Sequence, residues 1–206
     1  MSKALLICNG QKPGKWLKKY AAQADFVLAA DGGADSALAA GVLPSAVIGD
    51  LDSISPRTRR ALQDVPFIHV ERQDNTDLEK ALDWLTAQGF TDCVIAGATG
   101  GRLDFTLGNV LSVRPYARKI RVQFIGDKWQ LWVLTQGLKF AARKGARVSL
   151  LPLTSCKNVT LKGLKYRVSN EDWDTSHTGR TLSNEAAAKT CEIAFTSGLM
   201  LLYVEK

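Results

Sequence analysis

The first two-thirds of the chain alternates short apolar runs with segments that carry helix-start and helix-end signals. Short apolar runs bounded by turn residues are typical of buried strands. Strands are predicted at residues 3–8, 25–30, 46–48, 67–70 and 92–96. Helices are predicted at residues 15–22, 34–40, 57–63, 77–88 and 103–116, the last of them up to a break around Arg114 and Pro115. This alternation predicts a mainly parallel sheet covered by helices on both faces.

Two of the predicted helices begin with specific capping signals. Ser55 is followed by Pro56, which is the pattern of an N-cap with proline at the first helical position. Thr76 precedes the helix at residues 77–88, and Glu79 stands at its third helical position. A hydroxyl and a carboxylate at this spacing predict a capping box.

From about residue 119 onward the pattern changes to short β-like runs separated by turns. These runs lie at residues 120–125, 130–135, 139–142, 147–151, 158–161, 191–196 and 199–204. Their close spacing predicts an antiparallel β-sandwich or barrel. We place the boundary within residues 118–128, which divides the chain into an α/β domain, residues 1–125, and a β domain, residues 126–206.

Aspartates stand where the predicted strands give way to turns. They are Asp31, the pair Asp50 and Asp52, Asp77 and Asp104. Parallel strands joined by helices place such loops at one edge of the sheet, where open α/β folds bind ligands. Carboxylates that converge there repel one another unless a cation neutralises them, and their oxygens suit Mg²⁺. The sequence therefore predicts a metal-dependent site for phosphate chemistry.

The pair Asp50 and Asp52 is the sharpest local element of this pattern. In an extended turn, carboxylates two residues apart can lie on one side of the backbone, within reach of one metal. A helix-entry loop in which Asp52 or Ser53 only caps the helix is the simpler alternative. Asp77 likewise stands where a helix macrodipole favours a carboxylate whatever its function. Gln73 and Thr76, which flank Asp77, offer uncharged groups to phosphate oxygens or a ribose.

A glycine-rich loop at residues 97–102 joins a strand to a helix. Backbone N–H groups at Gly100 and Gly101, together with the helix N-terminus, can cradle phosphates, and Arg102 can bind them in bidentate fashion. The loop has neither the Walker A pattern nor Gly-x-Gly-x-x-Gly, so an ordinary tight turn is an equal alternative.

A polar, loop-rich stretch in the second domain carries aromatic rings. Tyr166 and Trp173 precede the segment that ends with Ser183 and Asn184. An aromatic ring that can stack, with hydrogen-bonding groups beside it, could bind a flat polar heterocycle. An ordinary surface loop explains the same composition equally well.

Composition excludes several classes of protein. The 206 residues are 46% hydrophobic and 23% charged, as in ordinary globular proteins. The net charge of +7 comes from short scattered clusters, which favours a solvated surface over a nucleic-acid interface. No apolar stretch approaches the roughly 20 residues of a membrane helix. The first apolar run is too brief for a signal peptide, so we expect a cytoplasmic protein without membrane or nucleic-acid partners.

Four ordered motifs, at residues 31–34, 49–54, 74–81 and 100–104, resemble those of the thiamine pyrophosphokinase (thiamine diphosphokinase) family. Residues 163–166 and 183–185 resemble the second-domain signature of that family. The resemblance implies a Rossmann-like, mainly parallel α/β/α domain followed by an antiparallel β-sandwich that binds thiamine and dimerises. It also implies a homodimer with shared active sites and Mg²⁺-dependent transfer of diphosphate from ATP to thiamine, yielding AMP.

The resemblance also implies roles for individual residues. Those implied to be catalytic are Asp50, Asp52, Asp77, Arg102 and Asp104, of which Asp50, Asp52 and Asp77 hold Mg²⁺. Those implied to bind ATP are Asp31, Gln73, Thr76, Gly100, Gly101 and Arg102. Those implied to bind thiamine are Tyr166, Ser183 and Asn184. The chain departs from the family at Asp35, usually asparagine, and at Phe105, usually histidine or glutamine.

Other functions remain compatible with the residues alone. A metal-dependent phosphohydrolase or a nucleotidyl transferase could use the same aspartates. The hydrolase would release phosphate without an alcohol acceptor, and the nucleotidyl transferase would release pyrophosphate. A nucleotide-binding or RNA-binding module without catalysis is suggested only by the positive charge, and its affinity would fall steeply with salt.

Overall fold

The computed structural model describes residues 2–71, 74–177 and 181–206. The chain forms two compact units, Met1–Asp127 and Lys128–Lys206, which are described in turn. None of the helices among the described residues has the length and apolarity that a membrane crossing requires.

The described part of the first unit alternates strands and helices as predicted. Its strands are β1 (Lys3–Ile7), β2 (Phe26–Ala30), β3 (Ala46–Gly49), β4 (Phe67–His69), β5 (Asp92–Ala96) and β6 (Arg121–Ile125). Its helices are α1 (Leu17–Ala21), α2 (Gly33–Ala39), α3 (Pro56–Ala61), α4 (Asp77–Ala87) and α5 (Leu103–Ser112). The strands lie in the order β6-β5-β1-β2-β3-β4, and every neighbouring pair is parallel.

The central strands are apolar on both faces because helices cover both. Leu5 and Ile7 of β1 belong to a cluster that also contains Leu17 of α1 and Ala37 of α2. Leu6, between them, points to the other face of the sheet and is also fully buried. Strands buried on both faces read as continuous apolar runs, which is why the sequence pattern located them.

Both predicted caps are present. Ser55 Oγ accepts a hydrogen bond from the N–H of Thr58, with Pro56 at the start of α3. Thr76 caps α4, and its own N–H donates to the Glu79 carboxylate at 2.9 Å, which completes the capping box. Helix α5 ends at Ser112, just before the break expected around Arg114 and Pro115, because a proline disfavours helical backbone in the residue that precedes it.

The second unit is built mainly of antiparallel strands, which confirms the predicted antiparallel β-sandwich. Its strands are β7 (Trp129–Leu134), β8 (Leu138–Ala141), β9 (Arg147–Pro152), β10 (Cys156–Lys162), β11 (Val168–Trp173), β12 (Asn184–Glu185), β13 (Thr190–Ala194) and β14 (Met200–Glu205). Two antiparallel layers, β12-β9-β14-β7 and β11-β10-β13-β8, enclose one apolar cluster. Leu150 and Leu202 enter it from the first layer, and Val159 and Ile193 enter it from the second.

Strand β11 corrects one expectation from the sequence. Its residues were expected in a loop that offers Trp173 as a stacking ring, but Trp173 ends the strand and is buried in the core. The polar sequence of this strand does not show the apolar pattern of a buried strand. It lies at the edge of its layer and, among the described strands, pairs only with β10. A ring from Trp173 is therefore not available to a ligand.

The carboxylate of Asp92, at the start of β5, supports a prediction about stability. It accepts hydrogen bonds from the guanidinium of Arg121 at 2.8 Å and from the hydroxyl of Thr91 at 2.8 Å. Burial raises the pKa of Asp92, but these hydrogen bonds outweigh burial and bring the pKa below its ordinary value. A carboxyl with a lowered pKa stabilises the fold above its unfolded pKa of about 3.9, and this contribution is lost as the pH falls through the folded value.

We therefore expect Asp92→Asn to lower the melting temperature at pH 7. The difference from the wild-type protein should shrink as the pH falls below about 4, where the unfolded chain begins to bind the proton, and should be lost below the lowered folded pKa. Thermal unfolding followed by circular dichroism at several pH values measures this. An equal difference at neutral and acidic pH would show that the ionised carboxylate does not contribute.

Candidate active site

A cavity of about 760 Å³ opens at the carboxyl ends of the strands of the first unit. Its lining comes from the loops after β1, β2, β3 and β5, from the start of α4 and from α5. Six of the predicted site residues line it: Asp31, Thr76, Asp77, Gly100, Gly101 and Arg102. The parallel topology brings these distant segments together, because each loop leaves the same edge of the sheet.

Three carboxylates form a tight group beside this cavity. Ligand oxygens of Asp31, Asp50 and Asp52 all lie within 4.8 Å of one another. Asp31 is only 5% exposed and accepts a hydrogen bond from the N–H of Ser53 at 3.2 Å. Three carboxylate oxygens at this separation are a donor set that could hold a hard divalent cation.

The backbone of this acidic group is held in an unusual conformation. Asp31 and Leu51 both have positive φ, at 44° and 67°. Side chains other than glycine rarely adopt this region, and such residues cluster at functional sites. The turn at Leu51 separates Asp50 from Asp52, so the strained turn sets the relative placement of their carboxylates.

Asp77 lies near this group but pairs with a lysine. Lys80 Nζ is 3.0 Å from Asp77 Oδ1 and 3.9 Å from Asp50 Oδ2, and the Lys80 side chain is 5% exposed. Burial raises the pKa of Asp77, and repulsion from Asp31 and Asp50 adds to this effect, while Lys80 opposes it. The structure thus places a buried ammonium group between two of the predicted metal ligands.

The glycine loop depends on conformations and contacts that only glycine permits. Gly97 has a φ of 71°, and a Cβ at this position would lie 2.4 Å from the carbonyl oxygen of Cys8. The N–H of Gly100 donates to Thr106 Oγ1 at 3.1 Å, and Asn109 Nδ2 donates to the carbonyl of Ala98 at 2.8 Å. Helix α5 therefore holds the loop in place.

Arg102 stands at the exposed rim of the cavity. Its Nε and Nη2 donate to the two carboxylate oxygens of Asp104 at 3.1 and 2.5 Å. Its guanidinium carbon lies 4.4 Å from the centre of the Phe105 ring. Asp104 is thus not part of the three-carboxylate group, and its contacts are those of a residue that orients Arg102.

The structure gives no free ligand group for two of the predicted ATP-binding residues, Thr76 and Gln73, among the residues that it describes. Thr76 lines the cavity, but its hydroxyl donates to the Glu79 carboxylate at 2.9 Å as part of the capping box. Gln73 lies outside the described residues.

The three predicted thiamine ligands lie together in the second unit. Buried Asn184 donates from Nδ2 to the carbonyl of Tyr166 at 2.8 Å and accepts from the N–H of Tyr166 at 3.0 Å. The N–H of Ser183 donates to Ser149 Oγ at 3.0 Å. The Tyr166 side chain, by contrast, is 59% exposed. Asn184 therefore holds the backbone at Tyr166, and the ring of Tyr166 faces outward.

Sequence reasoning missed one wall of the cavity, formed by Asn9, Gly10 and Gln11 after β1. A Cβ on Gly10 would lie 2.4 Å from the carbonyl oxygen of Gly97, so the loops after β1 and β5 are in close contact. The position of β1 between β2 and β5 is the signal that could have found this wall, since a central parallel strand delivers its loop to the ligand edge.

Comparison with known proteins agrees with this arrangement. The family model for the catalytic domain of thiamin pyrophosphokinase matches residues 17–124. The model of the thiamin pyrophosphokinase vitamin B1 binding domain matches residues 134–200. The chain is 28% identical over 194 residues to thiamine pyrophosphokinase of Bacillus subtilis, with 90% of each chain covered.

Solved structures agree as well. Thiamin pyrophosphokinase from Geobacillus thermodenitrificans is 27% identical, with a TM-score of 0.83 over 100% of this chain and 98% of that one. The crystal structure of the B. subtilis enzyme shares the fold with a TM-score of 0.88 at 24% identity, over 100% of this chain and 99% of that one. The resemblance found in the sequence motifs is thereby confirmed. The chain belongs to the thiamine pyrophosphokinase family.

Proposed function

We propose that this protein transfers a diphosphate group from ATP to the hydroxyl group of thiamine, yielding thiamine diphosphate and AMP. This is the activity of its family, and both domain models of that family match the chain. The observation that carries the assignment is the group formed by Asp31, Asp50 and Asp52 beside a cavity with a glycine loop and an arginine at its rim. Metal-held triphosphate chemistry needs these components together.

Mg²⁺ is the cation we propose for the carboxylate group. The residues fit it, since oxygen ligands from three carboxylates lie within 4.8 Å of one another. Asp50 and Asp52 would hold the ion with Asp31, and Asp77 would act beside Lys80. When bound, Mg²⁺ neutralises charge on the triphosphate.

The residues of the chain supply positioning and electrostatic stabilisation. The hydroxyl oxygen of thiamine would attack the β-phosphorus and give up its proton to a carboxylate of the site or to water. The bond from this phosphorus to the oxygen it shares with the α-phosphate would break, so that AMP leaves. Arg102 would bind phosphate oxygens in place of Asp104, because its guanidinium fork fits either partner. Lys80 would act indirectly, by partly balancing the negative charges of Asp77 and Asp50 beside the cavity.

We propose that thiamine is bound by Tyr166, Ser183 and Asn184 of a partner subunit in a homodimer. An apolar stripe on α5 supports the dimer. Leu103, Leu107 and Leu111, spaced four residues apart, are 71%, 56% and 49% exposed. Contiguous exposed apolar patches mark interaction sites, and a second copy of the chain would cover this one. The cytoplasmic location and the lack of nucleic-acid partners stay predictions.

The reaction products test this function. Purified protein with ATP, Mg²⁺ and thiamine should produce thiamine diphosphate and AMP in equal amounts, and neither should form without thiamine. Phosphate released regardless of thiamine would indicate the hydrolase alternative, and pyrophosphate released on addition of thiamine would indicate the nucleotidyl transferase.

Arg102→Lys is expected to lower kcat/KM for ATP by at least about tenfold, since a point ammonium cannot reproduce a bidentate guanidinium contact on phosphate oxygens. Steady-state kinetics with varied ATP measure the effect. Arg57→Lys, an exposed exchange at the start of α3, is the matched control and should leave the kinetics unchanged. Unaltered ATP kinetics in Arg102→Lys would restrict Arg102 to a structural role in the turn.

A further inference from the structure

The carboxylate of Asp35, on α2, is a hydrogen-bond centre outside the group formed by Asp31, Asp50 and Asp52. Its Oδ2 accepts from the N–H of Ser55 at 3.0 Å. Its Oδ1 accepts from the hydroxyl of Ser55 and, at 2.7 Å, from the hydroxyl of Thr58. Three donors from the first turn of α3 thus converge on a single carboxylate of α2.

These contacts fix the far end of the acidic loop. The loop leaves the sheet at the end of β3, passes through Asp50 and Asp52, and ends at Ser55. Helix α3 also holds the middle of the loop, because Arg59 Nη2 donates to the carbonyl of Leu51 at 2.8 Å. Asp35 therefore acts on the loop twice, through its end at Ser55 and through the helix that carries Arg59.

We infer that Asp35 is a positioning residue for metal binding: it locks the start of α3 so that Asp50 and Asp52 keep their placement relative to Asp31. The inference rests on the metal site proposed above. A carboxylate suits this role better than an amide, since both of its oxygens accept here and an amide has one acceptor oxygen. Burial raises the pKa of Asp35, but the hydrogen bonds from Ser55 and Thr58 outweigh burial and hold the pKa below its ordinary value.

Direct Mn²⁺ binding tests this inference without the reaction. The wild-type protein, Asp35→Asn and Asp35→Ala are titrated with Mn²⁺ alone, well below their melting temperatures, and free Mn²⁺ is followed by electron paramagnetic resonance. The expected result is a Kd raised about tenfold in Asp35→Ala and by a smaller factor in Asp35→Asn, as for other residues that orient metal ligands. The KM for thiamine should change little.

Asp92→Asn is the matched control, because Asp92 is likewise a hydrogen-bonded carboxylate of the first unit but stands at the opposite, amino-terminal end of β5. It should lower stability without changing the Kd for Mn²⁺. If folded Asp35 variants bind Mn²⁺ as tightly as the wild-type protein, the inference is overturned while the metal site stands. If the wild-type protein binds no Mn²⁺, the metal site fails, and the inference fails with it.

Discussion

Asp52→Asn is expected to lower kcat at least about 100-fold, because the loss of one ligand charge removes several kcal/mol of transition-state stabilisation. The fold should survive, since the Asp52 side chain is exposed and its contacts are local. Steady-state rates at saturating ATP and thiamine, with circular dichroism and thermal unfolding of the same samples, measure both parts.

Asp52 is a cleaner test than Asp77. Asp77→Asn should also lower turnover severely, but it removes the close partner of buried Lys80, so a structural effect would be mixed with a catalytic one. Asp64→Asn, an exposed carboxylate after α3, is the matched control and should retain full activity. Near-normal turnover in Asp52→Asn would remove the carboxylate group from the mechanism.

Two inactive variants are expected to restore activity when their chains are combined. Asp52→Asn is expected to disable the proposed metal site, and Tyr166→Ala removes the exposed ring proposed to bind thiamine. If each active site joins the first unit of one chain to the second unit of another, a heterodimer places both defects in one site and leaves the other intact. Random reassortment then restores about a quarter of all sites, because half of the dimers are heterodimers with one good site each.

Co-expression with two different affinity tags allows the heterodimer to be isolated and assayed. Its specific activity should approach half that of the wild-type dimer, whereas each parent stays nearly inactive. A monomeric wild-type protein, or a verified heterodimer without activity, would contradict shared sites. Diphosphate transfer by a site within one chain would remain compatible with either result.

The first unit was predictable because its signals are local. Strands buried on both faces appear in the sequence as continuous apolar runs. The capping box at the start of α4 needs only Thr76 and Glu79, which are three residues apart. The same reasoning failed for β11, since an edge strand needs no apolar face to pair with β10. Local pattern therefore located the strands that contain an apolar run and missed the polar strand β11 and the two-residue strand β12.

The sequence predicted which loops form the site, but it did not predict the distances between their side chains. Chain order predicts that Asp50 and Asp77 reach one sheet edge, yet it cannot tell which carboxylates fall within metal-binding distance of one another. That distance depends on the positive φ of Leu51 and on the buried position of Lys80. The conformation of Leu51 and the burial of Lys80 both result from tertiary packing. The contact between the loops after β1 and β5 has the same origin, and no sequence motif predicts it.

The fate of the terminal phosphate tests diphosphate transfer most directly. With ATP labelled at the γ-phosphorus, Mg²⁺ and thiamine, the label should appear in thiamine diphosphate, in an amount equal to the AMP formed. Label that appears instead in free phosphate or pyrophosphate, with no labelled thiamine diphosphate, would contradict diphosphate transfer.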